Sequence, residues 1–119
     1  MKVVNFDHVQ ISVSDISVAK KFYSETLGLE TLPTPKAFGP GTVWFKCGDK
    51  FLHVSETEEH DTIKSGRHFA IDVENLEKAY KELMSKGVKI DKGPTREVKL
   101  YRLFCFDPDG NRIEIRQAK

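Results

Sequence analysis

The chain has 119 residues, 39% hydrophobic and 31% charged, the composition of an ordinary globular protein with enough length for one compact domain or two small halves sharing a core. Nineteen basic and 18 acidic residues leave a formal net charge of +1, and the basic residues form no block, which argues against nucleic acid or an anionic membrane as a partner. No apolar run approaches the ~18 residues of a membrane-spanning helix. The opening MKVVNFDHVQ lacks a signal-type apolar stretch, and Cys47 and Cys105 sit in strand-like runs without a Cys-x-x-Cys spacing, as in a reduced, cytoplasmic protein.

Residues 6–13 (FDHVQISV) alternate, with Val9, Ile11 and Val13 on one face and His8, Gln10 and Ser12 on the other. Ser14 or Asp15 caps a helix in which Ile16, Ala19, Phe22, Tyr23 and Leu27 recur at helical spacing, and Gly28 stops it. A short strand at 29–32 leads into residues 33–41 (PTPKAFGPG), whose prolines and glycines predict an irregular loop. Residues 42–47 and 51–55 predict a hairpin, followed by a polar linker at 57–66 that carries His60, to which no role is assigned. The pattern then restarts. Residues 67–73 predict a strand with His68, Ala70 and Asp72 on its polar side. Asn75 caps a helix with Leu76, Ala79, Tyr80, Leu83 and Met84 as its stripe, ended by Gly87. A short strand at 88–90 and a loop at 91–99 precede the closing hairpin, residues 101–106 and 112–116, which turns at DPDGN.

The order is strand, helix, strand, strand, strand, written twice. The cap candidates Asp15 and Asn75 stand 60 positions apart, as do Trp44 and Phe104, while Gly28 and Gly87 stand 59 apart. His8 and His68 are also 60 apart, each on the first strand of its half, and His53 and Glu114 are 61 apart, each on the last strand. All four alternate with apolar neighbours, so sheets packed on their helices would turn these polar side chains to the opposite, concave face. Singly, each reads as an ordinary strand residue, and Glu114 as the surface partner of Arg112 or Arg116. Three imidazoles and one carboxylate at matched positions instead form the donor set of a divalent first-row metal: zinc, manganese, nickel or iron. Gln10, Phe51, Cys105 and Arg112 are further candidates for the concave face, with Arg112 able to hold an anionic substrate.

The stretches DHVQISVSDISVAKKFYSETLGLE, GRHFAIDVENLEKAYKELMSKGVKI and FDPDGNRIEI resemble the glyoxalase/bleomycin-resistance/extradiol-dioxygenase family, the vicinal oxygen chelate superfamily. The resemblance spans both halves and implies an α+β fold: two tandem βαβββ modules forming cupped mixed sheets with helices on the outer faces. It implies one glyoxalase-like domain, with module 1 at about 1–56 and module 2 at about 67–119. In metal-dependent members the ligands come from the first and fourth strands of each module, which here read His8, His53, His68 and Glu114. Fosfomycin-modifying members use two His and one Glu, matching His8, His68 and Glu114, and bacterial glyoxalase I carries a glutamate where this chain has His53.

The family likeness implies a metal-dependent enzyme with lyase, isomerase or dioxygenase chemistry on a small oxygenated molecule. Glu114 would be a ligand and, on detaching, the catalytic proton acceptor. The competing expectation is a non-catalytic binding protein of the bleomycin-resistance type. Modules of this family pair within a chain or across a dimer, and a two-fold homodimer is expected here.

Overall fold

The computed structural model describes residues 1–58, 66–97 and 99–119, so most of the linker, including His60, lies outside the described residues. The chain divides into two compact units, residues 1–61 and 62–119. Unit 1 runs β1 (His8–Val13), α1 (Ile16–Lys21), β2 (Glu30–Leu32), β3 (Thr42–Cys47) and β4 (Lys50–Glu56). Unit 2 runs β5 (Phe69–Val73), α2 (Leu76–Ser85), β6 (Ile90–Glu97), β7 (Leu100–Phe106) and β8 (Arg112–Gln117). Each unit is thus a βαβββ module.

The two sheets share one topology, β1-β4-β3-β2 and β5-β8-β7-β6, with the first and last strands of each module parallel and the other neighbours antiparallel. A parallel pair needs a crossover, and the helix supplies it. Both helices begin in the same way. The Asp15 carboxylate accepts from the backbone N–H groups of Ser17 and Val18, and the Asn75 side-chain oxygen accepts from Lys78 N–H. The next free N–H in each case is met from the end of the module's last strand: Ile16 donates to Glu56 Oε2 at 2.9 Å and Leu76 to Gln117 Oε1 at 2.7 Å. These bonds fasten each helix to the strand that carries His53 or Glu114.

One face of each sheet is covered by its helix. Val13, Ala19, Phe22, Tyr23, Phe45, Leu52 and Val54 are buried in unit 1, and Leu76, Leu83, Leu103, Cys105, Ile113 and Ile115 in unit 2. The strand alternation therefore leaves the other face of each sheet to the polar positions.

Besides the later start of β5, which leaves Arg67 and His68 ahead of the strand read at 67–73, the structure departs from the sequence reading in three places. The first helix is regular only to Lys21; residues 22–26 form wider turns, with Leu27 N–H donating to Phe22 O at 3.0 Å. The wider turn lets the adjacent Phe22 and Tyr23 both be buried. The predicted loop at 91–99 is mostly strand, since β6 pairs with β7 through two register shifts, between Ile90 and Lys92 and between Lys92 and Thr95. Gly93-Pro94 reads as a loop signal, but β6 is an edge strand, where a bulge and a missing N–H are tolerated. Cys105, a candidate for the concave face, lies fully buried opposite Ile113 on the helix side.

Candidate metal centre

In unit 1, β1 and β4 lie side by side with Gln10 opposite His53, and β3 places Trp44 opposite His53 from the other side. The rings stack in order. His8 and His53 have centroids 4.0 Å apart at 20°, His53 and Trp44 4.3 Å apart at 6°, and Phe38 packs on Trp44 at 5.3 Å and 52°. His8 Nδ1 lies 2.7 Å from Asp7 Oδ2. A carboxylate only accepts, so Nδ1 carries the proton and the lone pair is at Nε2. A ligating imidazole is held in this way, with its far nitrogen bonded to a carboxylate. Burial, then the neighbouring His8, holds His53 below the ordinary histidine pKa, while Asp7 acts in the opposite sense.

In unit 2, His68 stands one residue ahead of β5, and its Nδ1 donates to Gly66 O at 2.7 Å. Nε2 is therefore again the nitrogen left for a ligand. It faces Glu114 Oε1 at 3.2 Å. A lone pair facing a carboxylate oxygen is an arrangement that a proton or a metal cation resolves. Glu114 is 5% exposed. Its Oε1 accepts from Arg102 Nη1 at 3.1 Å, whereas among the described residues the nearest cation to Oε2 is Arg116 Nε at 3.8 Å, outside hydrogen-bonding range. Among the described residues, that Arg116 Nε is buried without a hydrogen-bond partner. Phe104, cross-strand from Glu114, meets the His68 ring edge-on at 5.3 Å, with the Arg112 guanidinium 3.8 Å from its centroid and that of Arg102 at 5.1 Å.

The structure thus brings His8 together with His53, and His68 together with Glu114. Among the described residues no three His, Cys, Asp or Glu side chains form a ready metal cluster. The donors nevertheless suit a first-row divalent ion: two imidazoles with Nδ1 already occupied, and a carboxylate with one uncommitted oxygen. Arg112 is held by Asp91 at 3.0 Å, and Arg116 lies 3.6 Å from Asp72. The near partner of Glu114 is Arg102, which the sequence reading missed. Its signal was available: Arg102 precedes Phe104 by two residues and so shares its face. Asp7, beside His8, was missed as well.

Two βαβββ modules, each presenting a pair of potential ligands on the face away from its helix, define a protein built around polar sheet faces. The chain belongs to the Glyoxalase/Bleomycin resistance protein/Dioxygenase superfamily, whose family model matches residues 5–115. A metallothiol transferase FosB from Staphylococcus saprophyticus is 30% identical over 119 residues, covering 95% of this chain and 76% of that protein. A lactoylglutathione lyase from Salmonella typhimurium is 25% identical over 125 residues, covering 94% and 91%. The structure of a Bacillus anthracis protein assigned to the glyoxalase family superposes with a TM-score of 0.87 at 30% identity, over 100% of this chain and 98% of that one.

Proposed function

We propose that this protein is a metal-dependent enzyme acting on a small oxygenated molecule, with His8, His68 and Glu114 as the metal ligands. The observation that carries this reading is the unit 2 pair: His68 Nε2 facing Glu114 Oε1, with Nδ1 tied to Gly66 and Oε1 held by Arg102. A bound divalent ion would chelate two neighbouring substrate oxygens and offset the negative charge that develops on them. Arg102 fixes the plane of the Glu114 carboxylate through Oε1, and the carboxylate, on leaving the metal, would take a proton from substrate.

A metal held by all three residues needs two modules to supply one set of ligands, whether of one chain or of two. A two-fold homodimer is supported by the exposed apolar residues Val3, Val4 and Phe6 beside the edge strand β1. The two modules would then act as one glyoxalase-like domain. No described helix is long and apolar enough to cross a membrane. Among the described residues neither Cys47 nor Cys105 is in a disulfide, in keeping with the proposed reducing, cytoplasmic setting.

The names of the curated relatives point to small thiols as the first substrates to test. The purified chain, stripped and reloaded with zinc, manganese, nickel or iron(II), is assayed for thiol transfer to a small oxygenated electrophile and for turnover of lactoylglutathione. Metal-dependent turnover that His8→Ala, His68→Ala and Glu114→Gln each abolish supports the reading. Absence of metal uptake at micromolar concentration overturns it in favour of the binding protein.

A further inference from the structure

His53 occupies a position matched by symmetry to Glu114, and its geometry is not that of a co-ligand with His8. An imidazole donates its lone pair in the ring plane, with a metal about 2.1 Å from the nitrogen. The two rings lie nearly parallel with centroids 4.0 Å apart and planes at only 20°. An ion in the plane of one ring at the ~2.1 Å bonding distance would lie about 2–3 Å outside the plane of the other. One nitrogen or the other would ligate, but not both.

We infer that His53 is a positioning residue, a flat plate between His8 and Trp44 that holds the His8 ring edge-on for metal. This inference rests on the proposed role of His8 as a ligand. Three observations carry it. The His53 ring is covered on both faces, by His8 at 4.0 Å and by Trp44 at 4.3 Å and 6°. Trp44 is itself held, by its backbone N–H donating to Thr34 Oγ1 at 3.1 Å and by the Phe38 ring on the side chain. The Asp7 carboxylate sets the His8 tautomer through Nδ1, but that pair is exposed at 41% and 79% and, meeting the ring at one edge, does not fix its plane. The stack is therefore what fixes the His8 ring. It runs from a metal ligand into the loop at 33–41, so that loop sets the orientation of His8 through Phe38 and Trp44.

Ligation and stacking make opposite demands on position 53. A ligand cannot be replaced by phenylalanine, and a stacked plate can. The experiment uses the full chain as parent, His53→Phe, His53→Ala, Trp44→Ala and His8→Ala, with melting curves to establish that each is folded. Two readouts are taken. In metal-free, 15N-labelled protein, relaxation of the His8 imidazole nitrogens reports ring order: parent and His53→Phe give a rigid ring, while His53→Ala and Trp44→Ala give a mobile one. In titrations with zinc or cobalt(II), followed by calorimetry and by the cobalt absorption bands, His53→Phe binds within roughly threefold of the parent and His53→Ala roughly 10–100-fold more weakly, as for loss of an outer-shell support. The inference is overturned if His53→Phe loses metal as fully as His8→Ala, or if His53→Ala leaves both the His8 signals and the affinity unchanged. If the parent takes up no metal, the proposed metal centre fails, and the nitrogen spectra decide the stacking by themselves.

Discussion

Glu114→Gln tests whether the buried carboxylate is a ligand or a structural ion partner, because the two roles move stability in different ways. Without metal, the parent carboxylate at 5% exposure accepts from Arg102 at 3.1 Å and faces His68 at 3.2 Å. Arg102 compensates this buried charge, so replacing the carboxylate costs stability in the metal-free protein. A charge-assisted bond contributes about 1.5–3 kcal/mol and a neutral amide about 0.5–1.5. With Arg102 26% exposed, the loss falls near 1–2 kcal/mol, or about 3–10 °C in Tm for a chain of this size. With metal at 100 times the parent Kd, binding stabilises the parent by about 2.7 kcal/mol. If the amide weakens metal ~100-fold, the same metal stabilises the variant by only about 0.4 kcal/mol. Four melting curves, parent and variant with and without metal, read both quantities. Equal metal-induced shifts would refute ligation by Glu114, and a metal-free variant as stable as the parent would refute the Arg102 pairing.

Arg102→Met leaves Glu114 buried without its near cation, so the metal-free protein should lose about 2–3 kcal/mol while the stabilisation conferred by metal grows; a metal-induced melting shift smaller than the parent's would contradict this. Asp107→Ala removes the carboxylate that accepts from Asp109 N–H, Asn111 N–H and Asn111 Nδ2 in the DPDGN turn, and should cost about 2–4 kcal/mol in denaturant unfolding; a loss below about 1 would mean that the turn is held otherwise. Burial, then the charge of Asp107, pushes the Cys105 thiol up to about 12. Its contribution to stability is therefore full below the unfolded thiol pKa near 9.0 and fades as pH rises toward 12. Iodoacetamide at pH 8 should leave Cys105 unmodified in the folded protein and label it after denaturation; folded-state labelling of Cys105 would contradict its burial. Sedimentation at tens of micromolar should give twice the 13.6 kDa chain mass, and a single-chain species would count against the homodimer.

Much of this architecture is legible because it is written twice. Clean alternation in β1, β4, β5 and β8, and a capping side chain ahead of each helix, are local signals that tertiary context does not override. The 60-residue match of Trp44 with Phe104 also has a structural meaning, since each is the cross-strand neighbour of the last-strand residue, His53 or Glu114. What was not legible depends on pairing between strands. The strand character of 91–97 comes from β7, against the local message of Gly93-Pro94. The hydrogen-bonded partner of Glu114, Arg102, sits on a neighbouring strand; of the two same-strand candidates, Arg116 lies within ion-pair range at 3.8 Å, while Arg112 pairs with Asp91 instead. Spacing placed His53 on the right face, but only ring geometry shows it sandwiched between His8 and Trp44.

Metal content and ligand environment in solution bear first on the proposed metal centre. The parent, loaded with zinc, dialysed and measured by elemental analysis and X-ray absorption, should retain about one ion per paired site, with two imidazoles and a carboxylate in its shell. The site should be emptied by His8→Ala, His68→Ala or Glu114→Gln and kept by His53→Phe. Zinc retained at parental level by the first three variants, or no zinc retained by the parent, would contradict the account.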